Sequence, residues 1–335
     1  MNLPRQRPEW LPFAALYVAL AVFFAWYATV FFHRYPVSAP ARTSIYLSLL
    51  LLLGLCLAPG FPALRRRLQH RLQGVPAAVC YIAFFLAPYL LYAAGTHDFR
   101  LNALAAVFAF AALPAALFAA APVRRPERPN PRDAAVLVLL IWPVMLSSPS
   151  GIWNVPVNLD FMARLFLLGI AAWSFLLIRG VENAGYEFRW PASGLRDFLL
   201  PFASFSAIAI PLGMALHFIA WNPQWRGPWA LLFDFGTIFL FVALVEELLF
   251  RGVLQNLLEK SLGSRYAAQA LAALCFGLSH IRHAPFPNWR YVALATVAGW
   301  FYGSAYRSHR SLMTSAAVHA LVDTLWRTCF TLPKG

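Results

Sequence analysis

Acidic side chains are scarce in this sequence, with 13 Asp and Glu among 335 residues against 27 Lys and Arg, and charged residues of all kinds make up only 12%. With 61% hydrophobic residues and a mean hydropathy of +0.62, so little charge excludes a water-soluble globule. Cysteine is also sparse. Cys56, Cys80, Cys275 and Cys329 lie within or at the end of apolar runs and form no CxxC or Cys/His spacing, so neither a disulfide framework nor a zinc site follows from them. The HExxH metalloprotease signature is absent, as are an internal repeat, a soluble domain and any low-complexity tract beyond Ala/Leu/Phe richness. The net charge of +14 and a pI near 10.2 would suggest nucleic acid in a soluble protein. Here the arginines stand in short clusters between apolar runs, where they act as topology signals; the expected partner is a lipid bilayer and not a nucleic acid.

What the sequence has in abundance is long apolar runs. The first, Leu11 to Phe32, is longer than a signal-peptide core and reads as a retained helix. Others fall at about 45–61, 75–94, 101–121, 134–147, 159–178, 198–221, 229–250, 266–280, 291–306 and 312–330. The fold expected is therefore all-α, a polytopic transmembrane helical bundle of about eleven spans. Pro88, Pro114, Pro143, Pro201 and Pro211 lie inside these runs, where neighbouring helices make proline tolerable. Alternate loops are rich in arginine: Arg65, Arg66, Arg67 and Arg71; then Arg124, Arg125, Arg128 and Arg132; then Arg179, Arg189 and Arg196. The intervening loops hold fewer, so the positive-inside rule makes the chain an integral, multi-pass membrane protein with its N-terminus, carrying Arg5 and Arg7, in the cytoplasm. For a bacterial source that membrane is the inner one. The connectors Pro122 to Asp133 and Arg179 to Asp197 are the plausible internal boundaries. They set apart an N-terminal transmembrane region, 1–197, of unassigned role from a core, 198–335, that carries the intramembrane charge.

That charge is concentrated in Val245-Glu246-Glu247-Leu248-Leu249-Phe250-Arg251. A charged residue at mid-membrane costs roughly 2.5 to 3.5 kcal/mol on insertion scales. Glu247 and Arg251 are spaced i, i+4, the orientation in which a glutamate best pairs with a basic residue. Glu246 points about 100° away and has no such local partner, so it is the carboxylate available to act. Phe276-x-x-x-His280 closes a later run, and His319-x-x-x-Asp323 places an imidazole and a carboxyl on one helix face. At 1.5 Å per residue, Glu246 and His280 both stand roughly 21 to 24 Å from the turn at Lys260 to Ser264, and His319 roughly 15 Å from the turn at Ser308 to Arg310. A glutamate stripped of solvent can take a proton from water, while a histidine shares that water or steadies an oxyanion. No cofactor is expected, although Glu246, His280 and His319 are also the side chains a divalent metal would use. His283 reads as a loop histidine, Asp234 and Arg164 as residues near span ends that reach outward, and Trp10, Trp221, Trp225 and Trp289 as an interfacial belt.

Glu-Glu-x-x-x-Arg, Phe-x-x-x-His and His-x-x-x-Asn/Asp, in this order on successive helices, resemble the three motifs of the CPBP family, the CAAX prenyl endopeptidase and bacteriocin-processing (Abi) family of glutamic-type intramembrane proteases. The resemblance covers about residues 198 to 330, and the first motif is its most specific part. It implies that Glu246 and His280 position and deprotonate the attacking water, that His319 and Asp323 support the oxyanion, and that Glu247 and Arg251, with Phe276, hold the geometry. Its expected substrate is a peptide or protein within or beside the membrane, cleaved in a membrane-associated segment or C-terminal tail. Asp323 departs from the Asn of the eukaryotic prenyl-protein enzymes; it is either protonated or orients His319. The N-terminal spans are a second departure. Two other classes remain beside the protease: a catalytically silent scaffold or immunity protein, and a transporter that uses the carboxylates as a proton or ion relay.

Overall fold

The computed structural model describes residues 10–71, 74–119, 128–145, 151–189 and 194–331. Arg5, Arg7, Arg124 and Arg125, which entered the orientation argument, lie outside these residues. The described chain is built from helices α1 (Trp10–Arg34), α2 (Ala39–Leu57), α3 (Pro62–Arg71), α4 (Gly74–Thr96), α5 (Leu101–Ala119), α6 (Pro131–Met145), α7 (Asp160–Ile178), α8 (Arg196–Ala215), α9 (Pro228–Leu262), α10 (Arg265–Leu278), α11 (Trp289–His309) and α12 (Leu312–Cys329). A two-residue antiparallel ribbon, Ala220–Trp221 with Phe330–Thr331, is the sheet among the described residues. The fold is an all-α membrane bundle.

Seven helices are long and apolar enough to cross a membrane, α1, α2, α4, α5, α7, α8 and α9, and not the eleven expected. The four expected spans that fall short are α6, α10, α11 and α12. At 15 and 14 residues, α6 and α10 are only about 22 and 21 Å long at the α-helical rise. Arg290 and Arg307 lower the apolarity of α11, and His319, Asp323 and Arg327 that of α12. Two of the four thus fall short on length and two on polar content, of which His319 is buried while Arg290 and Arg327 are exposed. The prolines Pro88, Pro114, Pro143, Pro201 and Pro211 all lie inside helices.

The chain forms two compact units, the first mainly residues up to Val181 and the second mainly Glu182 onward. In the first, α2, α4 and α7 pack through aromatic rings and neutral polar contacts. Ser48 Oγ donates to the Pro88 carbonyl at 2.7 Å, and Trp173 Nε1 to the Leu55 carbonyl at 2.7 Å. Phe85 meets both Phe166 and Trp173 edge-on.

In the second unit, α10 and α11 approach so closely that side chains are excluded from the contact. A Cβ on Gly299 would lie 3.0 Å from the Ala273 Cα, and one on Gly277 would collide with Thr296. Small residues let membrane helices meet in this way, and polar side chains add hydrogen bonds across the seam. Gln269 Nε2 donates to the Trp300 carbonyl at 2.8 Å and to Ser304 Oγ at 2.7 Å. Serine and asparagine caps set the helix starts: Ser264 for α10, Asn288 for α11 and Ser311 for α12. The irregular stretch after Val181 is tied down by Asn256, Tyr306 and Leu312, which donate to the carbonyls of Glu182, Asn183 and Gly185. Gly185 has φ +73° with the Arg310 carbonyl against its α-carbon, a position closed to any side chain.

Candidate active site

The two glutamates lie in α9 between two stretches of π-helix, Phe239–Ala243 and Leu248–Gln255. Such wide turns interrupt α-helices chiefly at functional sites. They change the angular step along α9, so Glu247, Arg251 and Gln255, each four residues apart, stay on one buried face. Glu247 and Arg251 are completely buried, and Arg251 Nε stands 3.2 Å from Glu247 Oε2. The guanidinium carbon lies 4.8 Å from the centre of the Phe276 ring, a cation–π contact.

Glu247 has more partners than Arg251. Ser315 Oγ donates to its Oε2 and is also 2.9 Å from the Tyr302 carbonyl. His319 Nδ1 lies 2.9 Å from Glu247 Oε1, so its N–H donates there. With Nδ1 committed, Nε2 faces the other two carboxyls, 3.8 Å from Glu246 Oε2 and 3.6 Å from Asp323 Oδ2. Tyr302 stacks on the His319 ring at 4.5 Å and 17°, and Phe276 meets it edge-on at 5.8 Å. The imidazole is thus fixed in place and in tautomer by its neighbours. Hairpin arithmetic puts His319 nearer the cytoplasm than Glu246; the packed helices bring the two to within ion-pair distance.

His280 sits at the end of α10, where its Nδ1–H donates to the Phe276 carbonyl at 2.8 Å. That bond leaves Nε2 as the acceptor of the ring. His280 reaches the rest of the cluster through Phe276, whose ring is 4.8 Å from His280 on one side and 5.8 Å from His319 on the other. Glu246, His319 and Asp323 therefore meet at one nitrogen, with His280 across the Phe276 ring. Among the described residues no three His, Cys, Asp or Glu side chains are grouped as a metal site.

Three neighbours, Ser315, Tyr302 and Tyr291, were not singled out from sequence. Ser315 was legible, since Ser315, His319 and Asp323 repeat every four residues on α12. Tyr302 and Tyr291 carry no motif, and only packing reveals them. His283 is not simply a loop residue: its ring stacks on His280 at 5.7 Å and 18°, and Tyr291 covers both rings at 4.7 and 4.9 Å. Burial and the adjacent His280 hold the His283 imidazole below its ordinary range, while Glu246 pulls the other way. Asp234 is buried instead of reaching outward, because Arg226 and Arg327 both pair with it.

The family model of the type II CAAX prenyl endopeptidase Rce1-like proteins matches residues 228–325. This stretch is Rce1-like. It runs from the first residue of α9 to two residues past Asp323, so it holds all three motifs, and it bears out the CPBP resemblance over that range. The rest of the chain lies outside the match, and no curated protein and no solved structure matches the chain. Over residues 228–325, then, this integral membrane protein is similar to the type II CAAX prenyl endopeptidase family.

Proposed function

We propose that the chain is an intramembrane endopeptidase, which hydrolyses a peptide bond of a membrane-associated or C-terminal-tail substrate with water activated by Glu246. The observation that carries this reading is the convergence at His319: Nδ1 is held by Glu247, and Nε2 faces Glu246 and Asp323. A purely structural ion pair needs only Glu247 and Arg251. A third and a fourth group on the same imidazole serve chemistry better than packing.

In the proposed reaction, water lies between Glu246 and His280 Nε2. Glu246 takes a proton as the oxygen attacks the carbonyl, then passes it to the leaving amine. An imidazolium donates from both nitrogens, so His319 keeps Nδ1 on Glu247 while Nε2 turns to the oxyanion. Asp323 orients that ring from the more exposed side. Glu247, with Arg251 and Ser315, keeps the imidazole from rotating, and the aromatic wall of Phe276 and Tyr302 limits competing water. The Rce1-like match and the order of the motifs support the reading.

The test compares the C-termini of membrane and secreted proteins between a wild-type strain and one carrying Glu246→Gln. Termini that shift only in the variant identify substrates; an unchanged set of termini sinks the proposal and favours a silent scaffold. Purified wild-type protein is expected to keep cleaving such a substrate after thorough chelation, whereas loss of activity restored by one added divalent ion would replace glutamate-activated water with a metal centre.

A further inference from the structure

Beneath the carboxylate pair, α9, α10, α11 and α12 enclose a second group of polar atoms that the proposed chemistry does not use. Arg251 Nη1 and Nη2, Gln255 Oε1, Gln269 Oε1 and Thr314 Oγ1 are buried with no hydrogen-bond partner among the described residues. The guanidinium and the two amides belong to one layer. The Arg251 guanidinium is 5.8 Å from the Tyr302 ring, and Gln255 Nε2 reaches the carbonyl of the next residue, Gly303, at 3.4 Å. Gln269 packs on the same glycine, where an added Cβ would come within 2.8 Å of both Gln255 Oε1 and the Gln269 side chain. Thr314 adjoins Ser315, the residue that bonds Glu247.

The unpaired atoms are complementary. Guanidinium nitrogens only donate, amide oxygens only accept, and the hydroxyl does both. Donors and acceptors buried in the same layer without meeting are satisfied by a small molecule that can do both. Arg251 disfavours a cation there and Glu247 disfavours an anion.

We propose that this junction is a binding site for internal water, and that Gln255 is a positioning residue that steadies Glu247 through that water and Arg251. The effect on hydrolysis rests on the protease reading above; the hydration of the junction does not. Water bridging Nη1 and Nη2 to the two glutamine oxygens locks the guanidinium over Phe276. Its Nε then holds the Glu247 carboxylate, which in turn fixes the His319 ring.

The test uses the full-length protein and its Gln255→Met variant, which keeps the length of the side chain and removes the acceptor. A crystal structure of the wild type from a lipid phase, at a resolution that shows ordered solvent, is expected to place water between Arg251 and the glutamines. Arg251 bonded directly to Gln255 or Gln269, with no solvent between, overturns the site. In the cleavage assay Gln255→Met is expected to lower kcat about tenfold with KM unchanged and an unaltered melting temperature, and Gln255→Glu, which keeps the acceptor oxygen, to retain more activity than Gln255→Met. An unchanged kcat in Gln255→Met overturns the positioning role. Were wild type and Glu246→Gln alike inactive, the protease reading would fail while the ordered solvent still decided the hydration site.

Discussion

The two units bury polar atoms in different ways. Between α2, α4 and α7 of the first, every polar contact is neutral: Ser48 and Trp173 donate to carbonyls, Cys56 Sγ lies 3.0 Å from the Leu165 carbonyl, and Tyr81 and Ser174 share a hydrogen bond of 2.9 Å. In the second unit, a glutamate and an arginine without any solvent exposure meet a buried histidine. Neutral pairs of this kind contribute about 1 kcal/mol each and leave a tolerable gap when lost. A buried ion pair offers little net stability over an apolar pair of the same shape, and breaking it leaves an uncompensated charge. The α2, α4 and α7 seam shows that apolar helices of this chain can pack on neutral contacts, although the same unit also holds the Asp98–Arg100 ion pair and a buried Arg179. The charges of the second unit differ in being completely buried and in converging on one imidazole, which is the physical argument for their having a function.

Three substitutions sharpen that contrast, from the largest expected effect to the smallest. Glu246→Gln removes the proposed base while keeping shape, and is expected to lower the cleavage rate about 10³-fold with little change in melting temperature. If activity persists, the division of labour between Glu246 and Glu247 is wrong. Arg251→Met leaves Glu247 buried with only His319 and Ser315 and is expected to destabilise the protein by about 3 to 5 kcal/mol, read from denaturant unfolding in detergent. The double variant Glu247→Gln, Arg251→Met should recover much of that loss, since no charge is left stranded. Recovery of stability without recovery of activity would separate the structural from the catalytic use of the pair. Tyr81→Phe deletes a neutral contact of the first unit, and a loss of about 1 kcal/mol with cleavage unaffected is expected. A loss as large as that of Arg251→Met would erase the distinction between the units.

Much of the candidate site was legible because its residues violate the surrounding composition. Glu246, Glu247, His280, His319 and Asp323 each interrupt an apolar run, and i, i+4 spacing within one helix correctly pairs Glu247 with Arg251. Relations between helices were not legible. Hairpin arithmetic assumes straight, uniform helices, and α9 contains two π-helical stretches. It therefore could not show that His319 Nδ1 binds Glu247 while its Nε2 faces Glu246. The span count failed for a separate reason: α6 and α10 are short, and hydropathy averages α11 and α12 over all their faces, polar and apolar alike.

By itself, the sequence determined an all-helical membrane chain, an Rce1-like stretch marked by three ordered motifs, and the residue types available for chemistry. The first and the last follow from composition and from periodicity within single helices, which depend only on neighbours along the chain, and the second from the resemblance carried by the motifs and the family match. Tertiary structure alone decided which carboxylate holds the imidazole, that Tyr302 and Phe276 wall it in, and that His283 stacks on His280. The Glu247–His319 contact joins residues 72 positions apart, and the close approach of α10 and α11 at Gly277 and Gly299 has no counterpart in hydropathy. Such contacts depend on how whole helices pack, which no local spacing encodes.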